Sequence, residues 1–227
     1  MKLTNEVWAI IPARSGSKGI KNKNIKIFHN KPIISYSIKT ALKSKLFKKI
    51  HVSTESKKIK KVVKSYGLNI DFFRPKSLSR DHTPLSKVMN YVTNKYLSAG
   101  EFFDEVWLIY PCSPLIESKD LIKAKKIFDK TNKKYPLMSF REYDAPIEWA
   151  FKENKGVFKP KQKKKLSLDS KKIPKHYYES ASFIIYSSSH ILKNKNFIKF
   201  FGYILPKTKA VDIDDIEDWK LLEKLFT

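Results

Sequence analysis

The chain has 227 residues, 41% of them hydrophobic and 13% aromatic, which suits one compact domain and excludes general disorder. Its formal charge is +25, yet only four of its 47 basic residues are arginines, at positions 14, 74, 80 and 141. Arginine makes the bidentate phosphate and base contacts of nucleic-acid readers, so a basic nucleic-acid-binding protein is only the non-enzyme alternative. A single cysteine, Cys112, excludes both an internal disulfide framework and a cysteine-based zinc site.

The first element expected is a buried strand over Val7–Pro12. Its apolar run is short and is followed at once by Arg14 and Lys18, so it reads as neither a signal peptide nor a membrane span. A cytoplasmic protein with no membrane partner is therefore expected. Helical spacing follows over Ile33–Leu46, with Pro32 suited to the start. A strand is expected over Lys49–Ser53, a helix over Ser56–Tyr66 stopped by Gly67, and a short strand over Asn69–Phe73.

Arg74–Pro84 is polar, holds two prolines and reads as a loop over a site. Leu85–Leu97 is helical, Glu105–Tyr110 a strongly buried strand, Lys119–Phe128 a helix and Tyr135–Phe140 a strand. This alternation predicts an α/β fold: three layers, α/β/α, around a mostly parallel, Rossmann-like sheet. Residues 141–180 break the rhythm. They read as an inserted arm or lid within one domain spanning 1–227, too long for a structureless loop. Strands over Ala181–Tyr186 and Phe201–Leu205 and a helix over Asp215–Phe226 close the chain.

Two segments carry chemistry. Ile11–Asn24, IPARSGSKGIKNKN, follows the first strand and presents Arg14, Ser15, Gly16, Ser17, Lys18, Gly19, Lys23 and Asn24. Glycines permit close backbone approach, successive N–H groups cradle phosphate oxygens, and the cations neutralise a triphosphate. The pattern is neither GxxxxGK[ST] nor GxGxxG, which disfavours P-loop kinases and hydride-transfer enzymes. Near the C-terminus, Asp212 and Asp214 flank Ile213. In extended backbone the two carboxylates share one face, a suitable site for a hard cation, while Ile213 turns into the core. Asp215 is expected to cap the last helix.

The opening IPAR-x-GSKG followed by Lys23-Asn24 resembles the acylneuraminate cytidylyltransferases, the CMP-nonulosonate synthetases, and more distantly the CMP-Kdo synthetases. Further matches are Lys31-Pro32-Ile33, Val52-Ser53-Thr54, Arg74-Pro75 with Leu78 and Asp81, the PCSPL segment Pro111–Leu115, and Asp212-Ile213-Asp214. The resemblance spans nearly the whole chain. It implies transfer of CMP from CTP to the anomeric hydroxyl of a nonulosonic acid, a homodimer, and Mg²⁺ (with Mn²⁺ as substitute) on Asp212 and Asp214.

It also implies residue roles. Arg14 and Lys18 join the two aspartates in catalysis. Ala13, Arg14, Ser15, Gly16, Ser17, Lys23, Asn24, Arg74, Asp81, Pro111, Cys112 and Ser113 bind CTP. Tyr110, Ile116, Tyr178 and Glu179 read the sugar. IYPCSPLI and YYESASF resemble the pseudaminic acid branch, whose counterpart of the second segment is YHDAGQF. The departures at Tyr178, Glu179 and Ser180-Ala181 keep sialate and legionaminate as alternative substrates, and Kdo is the runner-up, disfavoured by the opening GSKG and Lys23-Asn24. Cys112 reads as a packing residue and not as a nucleophile.

Overall fold

The computed structural model describes residues 6–193 and 197–226. In chain order it contains β1 (Val7–Pro12), a small ladder of β2 (Ile27–Phe28) and β3 (Lys31–Pro32), α1 (Ile34–Ser44), β4 (Lys49–Ser53), α2 (Lys57–Ser65), α3 (Leu85–Ser98) and β5 (Glu105–Ile109). Then come α4 (Ser118–Asp129), β6 (Leu137–Glu142), β7 (Phe151–Asn154), β8 (Val157–Pro160), β9 (Tyr177–Ser187), α5 (Ser188–Leu192), β10 (Phe201–Ile204) and α6 (Ile216–Leu225).

The apolar run of β1 is buried because both faces of the sheet are covered. Ala9 and Ile11 face a core that includes Ile34 and Ile38 of α1, Ile59 and Val63 of α2 and Leu121 and Phe128 of α4. Trp8 and Ile10 point the other way, toward Met89, Val92 and Tyr96 of α3 and Ile191 of α5. Strand β5 repeats the division: Trp107 and Ile109 lie on the first side, Val106 and Leu108 on the second. The result is the expected three-layer α/β/α architecture.

The main sheet has six strands in the order β10-β6-β9-β5-β1-β4. Strand β1 pairs in parallel with β4 and β5, and β10 pairs in parallel with β6. Strand β9 runs antiparallel to both β5 and β6 and joins the two parallel groups. Parallel strands leave their C-terminal ends on one edge, where ligands bind in open α/β sheets. That edge carries Pro12, Ser53 and Ile109 and the loops that follow them.

One expected strand does not form. Residues 69–73 alternate as a strand would, Ile70 entering one core and Phe72 the other, but they make no ladder. The segment wraps beyond the edge strand β4, where Phe72 stacks on His51 at 4.6 Å. The Asp71 carboxylate accepts from the Tyr96 hydroxyl, and Arg74 N donates to the Thr54 carbonyl at 2.8 Å. Side-chain burial alone accounts for the pattern.

Residues 141–180 carry structure of their own. The hairpin β7–β8 turns at Lys155 and Gly156, both at positive φ, as a type I′ turn requires. Phe151, Val157 and Phe158 are exposed on it. The hairpin closes where Lys161 N donates to the Ala150 carbonyl at 2.8 Å. Strand β9 begins within this segment, four residues before Ala181. No described helix is long and apolar enough to cross a membrane.

Candidate active site

A cleft of about 740 Å³ opens at the C-terminal edge of β1 and β5. Four walls come from segments far apart in sequence, the loop after β1, the loop 74–84, the loop after β5 and residues 212–214, and Leu85 and Val88 of α3 and Glu179 and Ala181 of β9 complete the lining.

The first wall is the glycine- and lysine-bearing loop. Arg14, Ser17, Lys18, Gly19, Lys23 and Asn24 line the cleft. The buried Asn24 amide donates to the Arg14 carbonyl at 2.8 Å, and its oxygen accepts from the Cys112 thiol at 3.2 Å. Asn24 thus pins the phosphate-type loop to the loop after β5. Burial pushes the Cys112 thiol up to about 12, against the partly opposing effect of Lys23, so it is a neutral donor. That chemistry matches a packing residue and excludes a ready thiolate.

The second wall is the loop 74–84. Asp81 bridges the Arg14 guanidinium and the Lys18 ammonium, the latter at 3.2 Å. Arg14, then Lys18, hold the Asp81 carboxyl below its ordinary range. Arg74 is almost fully buried and pairs with Glu55 at 3.3 Å. His82 and Thr83 also line the cleft, within the segment expected from sequence to lie over a site.

The third wall carries Tyr110, Pro111 and Cys112. Helix α1 holds this loop through Ser37, which donates to the Tyr110 carbonyl at 2.9 Å, and Thr40, which donates to the Ile116 carbonyl at 2.9 Å. The Tyr110 hydroxyl donates to Glu179 at 2.5 Å, and both residues face the cleft. Burial, then the Glu179 charge, raises the Tyr110 phenol above its ordinary range.

Glu179 reaches the cleft because β9 is bulged. The register against β6 shifts between Met138 and Phe140, and Ala181 takes a left-handed φ of 47°. Ser139 stitches the bulge: its hydroxyl donates to the Phe183 carbonyl and accepts from Phe183 N, each at 3.0 Å, and accepts from the Ser180 hydroxyl at 2.8 Å.

The fourth wall is the aspartate pair. Ile213 is 1% exposed and packs with Ile20, Phe28, Trp219 and Leu222, which leaves Asp212 and Asp214 lining the cleft. Lys23 donates to the Ile213 carbonyl and lies 3.7 Å from the Asp214 carboxylate. Asp215 caps α6 by accepting from Glu217 N and Asp218 N, and Asp218 accepts in return from Asp215 N, as the capping-box geometry requires. Burial, then the charge of Asp214, raises the Asp212 carboxyl above its usual range. Two carboxylates on one wall of the cleft suit a hard cation completed by substrate oxygens. Among the described residues no group of three or more His, Cys, Asp or Glu forms a metal site from protein alone.

Several residues named from sequence do not line the cleft. Ile116 is 5% exposed and belongs to the main core, held there by the short turn before α4, so it has no route to a sugar. Tyr178 lies on the far side of the bulge, against Tyr143 and the Arg141 guanidinium. Ala13 is fully buried, its N–H donating to the Ser53 carbonyl. Ser113 turns its hydroxyl to the Ala181 carbonyl at 3.1 Å. Ser15 and Gly16 lie outside the cleft lining, Ser15 facing a smaller cavity behind the loop. Sequence reading missed Glu55, whose only signal is a carboxylate just past the end of a parallel strand.

The profile of the cytidylyltransferase family matches residues 8–224. This chain belongs to that family. The cytidylyltransferase is 33% identical over 223 residues to a pseudaminic acid cytidylyltransferase of Campylobacter jejuni, covering 96% of this chain and 94% of the relative. It is 29% identical over 230 residues to a CMP-N,N'-diacetyllegionaminic acid synthase of Legionella pneumophila, covering 97% and 96%. Its fold matches a CMP:2-keto-3-deoxy-manno-octonic acid synthetase solved with CTP, at a TM-score of 0.70, with 13% identity and coverage of 97% and 98%. The nucleotidyltransferase class and the α/β fold expected from sequence are both borne out.

Proposed function

We propose that this cytidylyltransferase transfers CMP from CTP to the anomeric hydroxyl of a nonulosonic acid, with pseudaminic acid the favoured acceptor. The observation that carries the reading is one cleft in which Arg14, Lys18 and Lys23 face Asp212 and Asp214. Cations and a carboxylate pair across one cavity suit a triphosphate held with a divalent metal. The sugar hydroxyl attacks the α-phosphorus and loses its proton to solvent; its new P–O bond forms as the bond from that phosphorus to the α–β bridging oxygen breaks, and pyrophosphate leaves. Arg14 and Lys18 stabilise phosphate charge, Lys23 steadies the aspartate segment, and the loop of Pro111–Ser113 flanks the base. Asp212 and Asp214 would hold Mg²⁺, or Mn²⁺ in its place. That ion, when bound, neutralises phosphate charge and aligns the leaving group.

The pseudaminate preference rests on two pseudaminic acid cytidylyltransferases of Campylobacter jejuni at 33% and 32% identity. Glu179 spends one oxygen on Tyr110 and keeps the other to accept from a sugar N–H or O–H. Residues 141–180 are read as an arm for a second copy, because Phe151, Val157 and Phe158 are exposed together on its hairpin. The test is incubation with CTP, Mg²⁺ and pseudaminate, legionaminate, sialate or Kdo, with the CMP-sugar measured by mass. CMP-pseudaminate as the dominant product supports the reading. A dominant CMP-Kdo product, or use of ATP or UTP in place of CTP, rejects it.

A further inference from the structure

Glu55 sits where the phosphate-type loop, the loop 74–84 and strand β4 meet. Its carboxylate is 12% exposed and engages Ser15, Arg74 and the Ser79 hydroxyl. One oxygen accepts from Ser15 N at 2.7 Å and from the Ser15 hydroxyl at 2.6 Å. The other accepts from the Arg74 guanidinium at 3.3 Å. The Arg74 side chain is only 3% exposed, so its charge has no solvent to fall back on. Arg74 Nε donates to the Ser79 hydroxyl at 3.1 Å, and Arg74 N to the Thr54 carbonyl. The guanidinium is therefore aimed from both ends and lines the cleft.

Ser15 follows Arg14 directly in the chain. Fixing the N–H of Ser15 fixes the peptide plane that leaves Arg14, and with it the direction in which Arg14 enters the cleft. One carboxylate thus orients two arginines: Arg14 through the backbone and Arg74 by direct pairing. We infer that Glu55 is a positioning residue for the triphosphate site, acting through Ser15 and Arg74 without touching substrate. The inference rests on the proposed use of CTP.

The geometry separates this role from a purely structural one. Loss of the carboxylate should disturb groups that meet phosphates and spare those that meet the base. Glu55→Gln keeps the size of the side chain but turns an amide N–H₂ toward a guanidinium, or toward Ser15 N if it flips, so one contact is lost either way. Titration of the full-length protein with CTP and, separately, with cytidine should show CTP affinity weakened about tenfold or more, the scale of one lost charge-assisted contact, and cytidine affinity unchanged. In turnover assays the CTP KM should rise more than kcat falls. Ser15→Ala removes only the hydroxyl contact and should give the same pattern at about threefold, which keeps the test intact if Glu55→Gln folds poorly. Equal weakening of CTP and cytidine, or unchanged CTP affinity in both variants, overturns the inference. Failure of the unaltered chain to bind CTP overturns the proposed function itself and this inference with it.

Discussion

Gly19 lies against the backbone of Asp214: a Cβ at position 19 would stand 1.8 Å from the Asp214 carbonyl oxygen. The phosphate-type loop and the aspartate segment therefore share one surface, and only the absence of a side chain lets them meet. Gly19→Ala should push the two apart. We expect destabilisation of about 1–3 kcal/mol, the range for forced overpacking, and a CTP KM raised about tenfold or more. Thermal melting and CTP titration check both, and an unaltered KM would show that the contact is incidental.

Asp212 should show opposite effects on stability and function. Burial and the Asp214 charge raise its carboxyl, so the ionised form is disfavoured in the folded chain. Its favourable contribution is complete below the unfolded pKa and is lost as pH rises through the folded one. Asp212→Asn should therefore raise the melting temperature at neutral pH in EDTA, while turnover with Mg²⁺ falls about a hundredfold or more. Added Mg²⁺ should stabilise the unaltered protein and not the variant. A lower melting temperature in EDTA would refute this account.

Cys112 should be dispensable for chemistry. With its thiol pushed up to about 12 by burial, almost none is ionised at pH 7–8. Iodoacetamide should label it slowly in the native state and fast in denaturant. Cys112→Ala should keep turnover within a few-fold and cost about 1 kcal/mol, because the Asn24 amide oxygen loses its donor.

Ala181 holds a left-handed backbone at φ 47° inside β9, a conformation that a Cβ resists. Ala181→Gly should stabilise the fold by about 1 kcal/mol and leave product formation intact. Chemical denaturation gives the number, and a destabilised variant would mean that the methyl group has a packing role.

If the hairpin seats a second copy, replacing Phe151 and Phe158 by serine should turn a dimer into a monomer in analytical ultracentrifugation. A monomeric parent chain would reject the arm reading outright.

Much of this was legible before the fold. The run of β1 and the helical spacing of α1, α2, α3 and α4 reflect burial, which leaves a periodic trace. The cations of residues 14–24 and the Asp212/Asp214 pair stand out because their chemistry is local. What escaped was relational. The role of Glu55 depends on Ser15, 40 residues earlier, and on Arg74, 19 later. The core position of Ile116 depends on the turn into α4 and not on its neighbours in PCSPLI. The bulge that brings Glu179 to Tyr110 requires Ser139 from another strand. Residues 69–73 misled because alternating burial at the rim of a sheet looks like a ladder from sequence.

The closure of the β7–β8 hairpin at Ala150 and Lys161 has a consequence for how such chains can vary in length. The ends of the excursion are joined by a hydrogen bond of 2.8 Å, and no strand of the main sheet pairs with anything between them. Residues can be gained or lost there without shifting the register of a single sheet strand. The hairpin is thus a site where size is negotiable, whereas the neighbouring strand β9, paired with β6 over Tyr177–Glu179 and with β5 over Phe183–Ser187, cannot change length between those ladders without shifting the register of one of them.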